Sequence, residues 1–142
     1  MVLAILLTVG LMFFIYMAIK SQTTPDQLGI RQGMLLPCPN SPNCVGSEAN
    51  SQTSKEHAVA PIRASDGAWA KLKSRIIEQD GVIKKDDGHY LHATFTSCVF
   101  HYVDDVELRL DAGHDLIQIR SASRVGRSDF GVNRKRVEAL RR

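Results

Sequence analysis

The sequence is poor in the signatures that usually announce an enzyme. It has neither GxxxxGK[ST] nor GxGxxG, so both common glycine-rich phosphate cradles are absent. The five histidines, at 57, 89, 92, 101 and 114, form no HExxH pattern, and no GxSxG elbow is present. Aromatic residues make up 6% of the chain, with a single tryptophan. Little is therefore left to build a stacking platform for single-stranded nucleic acid. Cysteine is scarce too, with three residues, of which Cys38 and Cys44 stand in "PCPNSPNC". A redox-active dithiol normally reads C-x-x-C, and a structural zinc site needs two further ligands at matching spacing. Neither condition holds. A short disulfide closing a proline-constrained loop is the expectation, which favours an oxidising compartment such as a periplasm. Cys98 is left over and reads as a buried strand residue filling apolar space.

Charge is missing altogether from "MVLAILLTVGLMFFIYMAI", which Lys20 closes. At ~1.5 Å per residue this run reaches about 28 Å as a helix, close to the ~30 Å hydrocarbon core of a bilayer. The run is longer than an ordinary signal-peptide core and lacks a basic leader, and "YMAIKSQ" is a poor cleavage site. An uncleaved membrane anchor over residues 1–20 is expected, in the inner membrane with the domain on the periplasmic side. Lys20 and Arg31, which follow the run, weakly favour the opposite orientation; the cysteine loop decides for the periplasm.

What is abundant lies at the other end. Residues 1–119 hold ten Lys/Arg against thirteen Asp/Glu, whereas residues 120–142 hold eight against two. The overall charge of +3 thus conceals an acidic body and a basic end. The stretch "RSASRVGRSDFGVNRKR" supplies Arg120, Ser121, Ser123, Arg124, Asn133, Arg134 and Arg136 as candidates for holding a small anion. Arginine's planar fork fits carboxylate and phosphate. A helix starting near Asn133 as its N-cap would aim free N–H groups at the same place. The alternative is that Arg120, Arg124 or Arg134 reaches back to Asp104, Asp105 and Glu107 while Asp129 caps a turn. In a strand Asp105 and Glu107 share one face and Asp104 the other, with Tyr102 and Val106. Asp105 and Glu107 are expected on the solvent face, paired with Arg109 or Arg120; metal binding and acid/base chemistry are rivals there. No metal, cofactor or nucleic acid is called for.

Residues 21–36 read as a linker and 37–142 as one globular domain. "HAVAPIR" reads as an edge strand. "SDGAWAKLKSRIIEQDG" carries Trp69, Leu72 and Ile76 at helical spacing, with Ile77 a further candidate. Ser65 or Asp66 is positioned to cap it and Gly81 to stop it. "VIKKDDGHYLHATF" is a hairpin around Asp-Asp-Gly, "VFHYVDDVELRLD" alternates, "LIQIRSA" is the last strand, and "NRKRVEALRR" a closing helix. The expected fold is α+β: a small antiparallel meander with two helices packed on one face, preceded by the transmembrane helix.

"LLPCPNSPNCV", then "YVDDVELRL" and "IRSASRVGRSDFGVNRKRVEALR", resemble the uncharacterised family known as domain of unknown function 1499, over roughly residues 28–142. The resemblance places motif positions on Cys38, Pro39, Pro42, Asn43 and Cys44. In the second half it places them on Asp104, Asp105, Arg120, Ser121, Ser123, Arg124, Gly126, Asp129, Gly131, Asn133, Arg134 and Arg136. It implies a secreted or membrane-anchored bacterial protein, with plastid relatives, and no particular activity. Three functions stay open. One is an anchored envelope domain whose Asp/Arg site binds an anionic ligand or a protein partner. Another is a hydrolase or transferase for a phosphorylated or carboxylated envelope compound, with Asp105 as base and Arg124 as anion clamp. The third is an accessory subunit of a membrane complex, betrayed by an exposed apolar patch.

Overall fold

In the computed structural model, which describes residues 1–52 and 54–142, the chain is an α+β protein. Helix α1, Val2–Gln22, is long and apolar enough to cross a membrane, and the window that qualifies it is not buried against the rest of the molecule. Two short strands, β1 (Ile30–Arg31) and β2 (Met34–Leu35), pair with each other in the stretch expected as a linker. β3 (Cys44–Gly46) starts at the second cysteine of the proline-rich loop. The Cys38–Cys44 disulfide closes that loop, with Cα atoms 5.6 Å apart.

β4 is only Ile62–Arg63, shorter than the strand expected over 57–63. Pro61 has no N–H to give a ladder, and just before it the chain joins β3 through the isolated Gly46–Ala58 bridge instead of a continuous strand. α2 spans Ala68–Glu78. Gly67 in the left-handed conformation takes the cap position, while Ser65 contributes only its carbonyl, to the Ala68 N–H. Leu72 and Ile76 are buried, as their spacing predicts, and Ile77 faces outward. The helix ends before Gly81; Asp80 already has a positive φ of 61°.

The remaining strands are β5 (Val82–Asp86), β6 (Tyr90–Thr96), β7 (Val103–Asp111) and β8 (Leu116–Ser123), followed by α3 (Val132–Arg141). They form an antiparallel sheet in the order β3-β8-β7-β6-β5, with β4 also on β8. The meander and the two covering helices match the expectation. β1, β2 and β3 carry no readable period because each is two or three residues long.

Strand alternation gives the sheet two unlike faces. One carries Leu91, Ala93, Phe95, Val106, Leu108, Ile117 and Ile119. These pack against Leu72 and Ile76 of α2 and against Val137 and Leu140 of α3 as the apolar core. The other carries Tyr90, His92, Thr94, Asp105, Glu107, Gln118 and Arg120, all buried. It is covered by the end of α1 and the segment after it. Cys98 is exposed, contrary to the buried role expected of it, because β6 stops at Thr96 and the thiol falls in the β6–β7 turn.

Candidate functional site

The polar face is built around three acid–base partnerships. Glu107 on β7 stands directly across from Arg120 on β8. Arg120 Nη1 donates to Glu107 Oε2 at 2.8 Å, with the Glu107 side chain wholly buried. The other carboxylate oxygen accepts from Tyr90 Oη at 2.8 Å and from the Gly29 N–H at 2.6 Å. Burial, then the adjacent Glu107 carboxylate, pushes the Tyr90 phenol well above its ordinary value. That fixes the hydroxyl as a donor.

Asp105 receives a bidentate fork from Arg124, whose Nε lies 2.8 Å from Oδ2 and Nη2 2.7 Å from Oδ1. His92 Nε2 approaches Oδ1 at 2.7 Å. Burial alone would raise this carboxyl, but the Arg124 fork and the His92 ring outweigh it and hold Asp105 below the ordinary 3.8. The third partnership is that of Arg109, whose Nε donates to Glu48 Oε1 at 2.7 Å and whose Nη2 reaches Asp111 at 3.3 Å. Glu48 also accepts from the Leu35 N–H at 3.1 Å, which ties β2 down onto the sheet. Its carboxylate, first through the hydrogen bond, raises the Arg109 guanidinium further.

The expectation that Asp105 and Glu107 lie on a solvent face is therefore corrected. Both are buried, because residues 22–35 and 47–51 cover that face. A charge in such a place persists only when paired and hydrogen-bonded. Glu48 and Tyr90 were not legible as members of the network. Glu48 sits in a Ser/Asn-rich stretch without period, and only its neighbours in space identify it.

Arg124 has one further use. Its Nη1 donates to the carbonyls of Ser21 at 3.1 Å and Gln22 at 3.2 Å. These belong to the last turn of α1, where four carbonyls lack helical partners and the dipole is negative. One guanidinium therefore bridges the sheet to the end of the apolar helix.

A second network lies on the opposite face, where α3 meets β8. Asp104 pairs with Arg136, at 2.7 Å, rather than with Arg120, Arg124 or Arg134. The Arg136 guanidinium also covers the Phe95 ring at 4.6 Å. Asn133, expected as an N-cap, lies inside α3 and is fully buried. Its amide donates to the Asn43 carbonyl, Ser123 Oγ and Asp129 Oδ2, while its oxygen accepts from Ser121 Oγ and Arg136 Nη1. Gly131, at a φ of 77°, occupies the cap position. The side-chain oxygens of Asp129 satisfy the N–H groups of Gly131 and Asn133. Arg134 donates to the carbonyls of Ala58, Lys55 and Glu56. The acidic and basic segments thus meet, but in two networks on opposite faces, not in one site.

Several openings adjoin these networks among the described residues, two of them at Arg120 and Arg136. A crevice of about 200 Å³ is lined by Leu28, Pro39, Asn43, Arg120, Ser123 and Arg124 among others. Arg120 is 5% exposed, and its Nε is buried without a partner among the described residues. A larger cavity of about 480 Å³ lies beside Phe95, Cys98, Val132, Lys135 and Arg136. Among the described residues no three metal-ligating side chains cluster.

Searches of curated proteins and of solved structures return no match. The family model described as "Protein of unknown function (DUF1499)" matches residues 34–142. That span contains the whole six-stranded sheet and the charged side chains of both networks, and the chain belongs to that family.

Proposed function

We propose that the protein is a membrane-anchored envelope domain without enzymatic activity. Its buried charge networks serve to lock the fold and to fix the sheet onto its own anchor helix. The observation that carries this reading is the geometry of Arg124, which grips Asp105 with two nitrogens and the end of α1 with the third. A domain on a flexible tether would need no such clamp. The same geometry weighs against catalysis by Asp105 and Arg124, since each is consumed by the other. The Cys38–Cys44 bridge favours the periplasmic side. The test is to express the full chain in a bacterial host. Membranes are then extracted with alkaline carbonate, and the mature N-terminus is measured by mass spectrometry. Retention in the pellet with residues 1–20 intact supports the anchor; a chain beginning after residue 20 and released to the supernatant defeats it. Protease accessibility in spheroplasts reports the side.

A second reading is favoured by Arg120 Nε. A buried guanidinium nitrogen with no acceptor among the described residues, on an arginine that lines a small crevice, suits a ligand that brings one acceptor oxygen, such as a carboxylate or phosphate. A ligand at a hundredfold its Kd raises stability by ~2.7 kcal/mol. A thermal-shift panel of phosphates and small carboxylates on the detergent-solubilised chain tests it. A shift abolished by Arg120→Lys supports the site, and a flat panel removes it.

A further inference from the structure

We infer that the turn between β6 and β7 is a second membrane contact, inserting Cys98, Val99 and Phe100 into the lipid beside α1. This rests on the proposed anchoring of α1 and extends it to the globular domain. The turn runs back along the helix. The carbonyl of His101 accepts from Ser21 Oγ at 3.3 Å and Gln22 Nε2 at 2.9 Å, at the end of α1. Phe100 then stacks on Phe14 of the helix with ring centroids 5.0 Å apart. At ~1.5 Å per residue, Phe14 lies about 9 Å along the axis from Lys20, toward the apolar end. Whatever medium surrounds Phe14 therefore surrounds Phe100 as well. If α1 spans a bilayer with Lys20 at its boundary, that medium is hydrocarbon.

The composition of the turn fits this placement. Val99 is 78% exposed and Phe100 46% exposed, a large apolar exposure for the tip of a hairpin, where polar residues are the rule. Cys98, the third member, carries no charge either. Tyr102, stacked on Phe100 at 5.4 Å, sits nearer the helix end, at the depth where amphipathic aromatic rings collect. The turn also closes backbone bonds on itself: Ser97 N–H to Tyr102 O at 2.9 Å and His101 N–H to Ser97 O at 3.1 Å. The clamp by Arg124 ties this end of β7 and β8 to the last turn of α1. The turn between β7 and β8 lies at the other end of β7, roughly 30 Å away at ~3.3 Å per residue.

Cys98 supplies the probe, because Cys38 and Cys44 are bonded to each other. The full chain, kept oxidised, is labelled at Cys98 with an environment-sensitive fluorophore and placed in phosphatidylcholine–phosphatidylglycerol vesicles carrying doxyl-labelled lipid. Two references in a Cys98→Ser background carry the same label, one at Thr8→Cys in α1 and one at His114→Cys in the β7–β8 turn. Quenching is expected at Cys98 and at Thr8→Cys but not at His114→Cys. Quenching at Thr8→Cys without quenching at Cys98 leaves the anchor standing and overturns the second contact. Absence of quenching at both defeats the anchoring and the inference with it. A Val99→Asp/Phe100→Asp chain is expected to lose most of the Cys98 quenching while staying with the vesicles; unchanged quenching would show that these two side chains do not hold the turn in lipid.

Discussion

The two faces of the sheet solve the same burial problem by opposite means. On one, Leu108 and its neighbours meet the helices through dispersion and loss of water-exposed apolar surface. On the other, Glu107, the next residue along the same strand, is equally inaccessible but is held by Arg120, Tyr90 and Gly29. The apolar face tolerates inexact partners, because dispersion is non-directional. The charged face tolerates few, because each carboxylate removed leaves a largely buried cation without its partner. Such a face suits joining parts whose register must be unique, here the end of α1, the β1–β2 hairpin and the sheet.

Breaking one member of the buried pair is the most severe way to probe the difference. Glu107→Ala leaves Arg120 uncompensated and is expected to cost about 3–5 kcal/mol, enough to unfold a marginal domain. The double variant Glu107→Leu/Arg120→Met should recover most of that loss in thermal denaturation. If the double variant is as unstable as the single, pairing is not what holds this face. Leu108→Ala, one residue away on the apolar face, should cost about 2–5 kcal/mol through the cavity it leaves, and no partner change should rescue it. Opening the Cys38–Cys44 loop by reduction is expected to cost on the order of 2 kcal/mol, read as a lower melting temperature in reductant that is absent in Cys38→Ser/Cys44→Ser.

Acidification gives the finest discrimination. Asp105 is held below its ordinary 3.8 when folded. Below that ordinary value the unfolded chain therefore takes up the proton first. Its contribution is complete above about pH 4 and drains away as pH falls toward the folded value, by at most about 1.4 kcal/mol per pH unit. Denaturant melts between pH 5 and 2 should show this slope in Leu108→Ala as in the wild type, and a shallower one in Asp105→Asn. An unaltered slope in Asp105→Asn would place the acid sensitivity elsewhere.

Periodic features were legible in the chain itself. α2 spaces its apolar residues at a helical interval, β7 alternates them, Asp-Asp-Gly marks the turn between β5 and β6, and α1 is one uninterrupted apolar run, so a single sequence displays each of them. The disulfide was legible because two cysteines in a proline-rich loop have few other uses. Asp104 was recognisable as odd because a carboxylate stood in an apolar register, yet its partner could not be named. Arg124, Arg134 and Arg136 stand close together in the sequence and have identical side chains, but one grips Asp105 and α1, one grips backbone carbonyls and one grips Asp104. Cys98 was misplaced because strand ends carry no strong local signal.

By itself the sequence determined the apolar helix, the order of strands and helices from β4 to α3, the closed cysteine loop and the concentration of arginine at the C-terminal end. All of these follow from local spacing and composition, which act over a few residues. Only the tertiary structure decided that the face of Asp105 and Glu107 is buried, that Glu48 and Tyr90 join it, and that Arg124 reaches the end of α1. Those outcomes depend on which distant segment covers which face. A charged side chain takes its meaning from partners brought from as far as 103 residues away, a relation that no local pattern records.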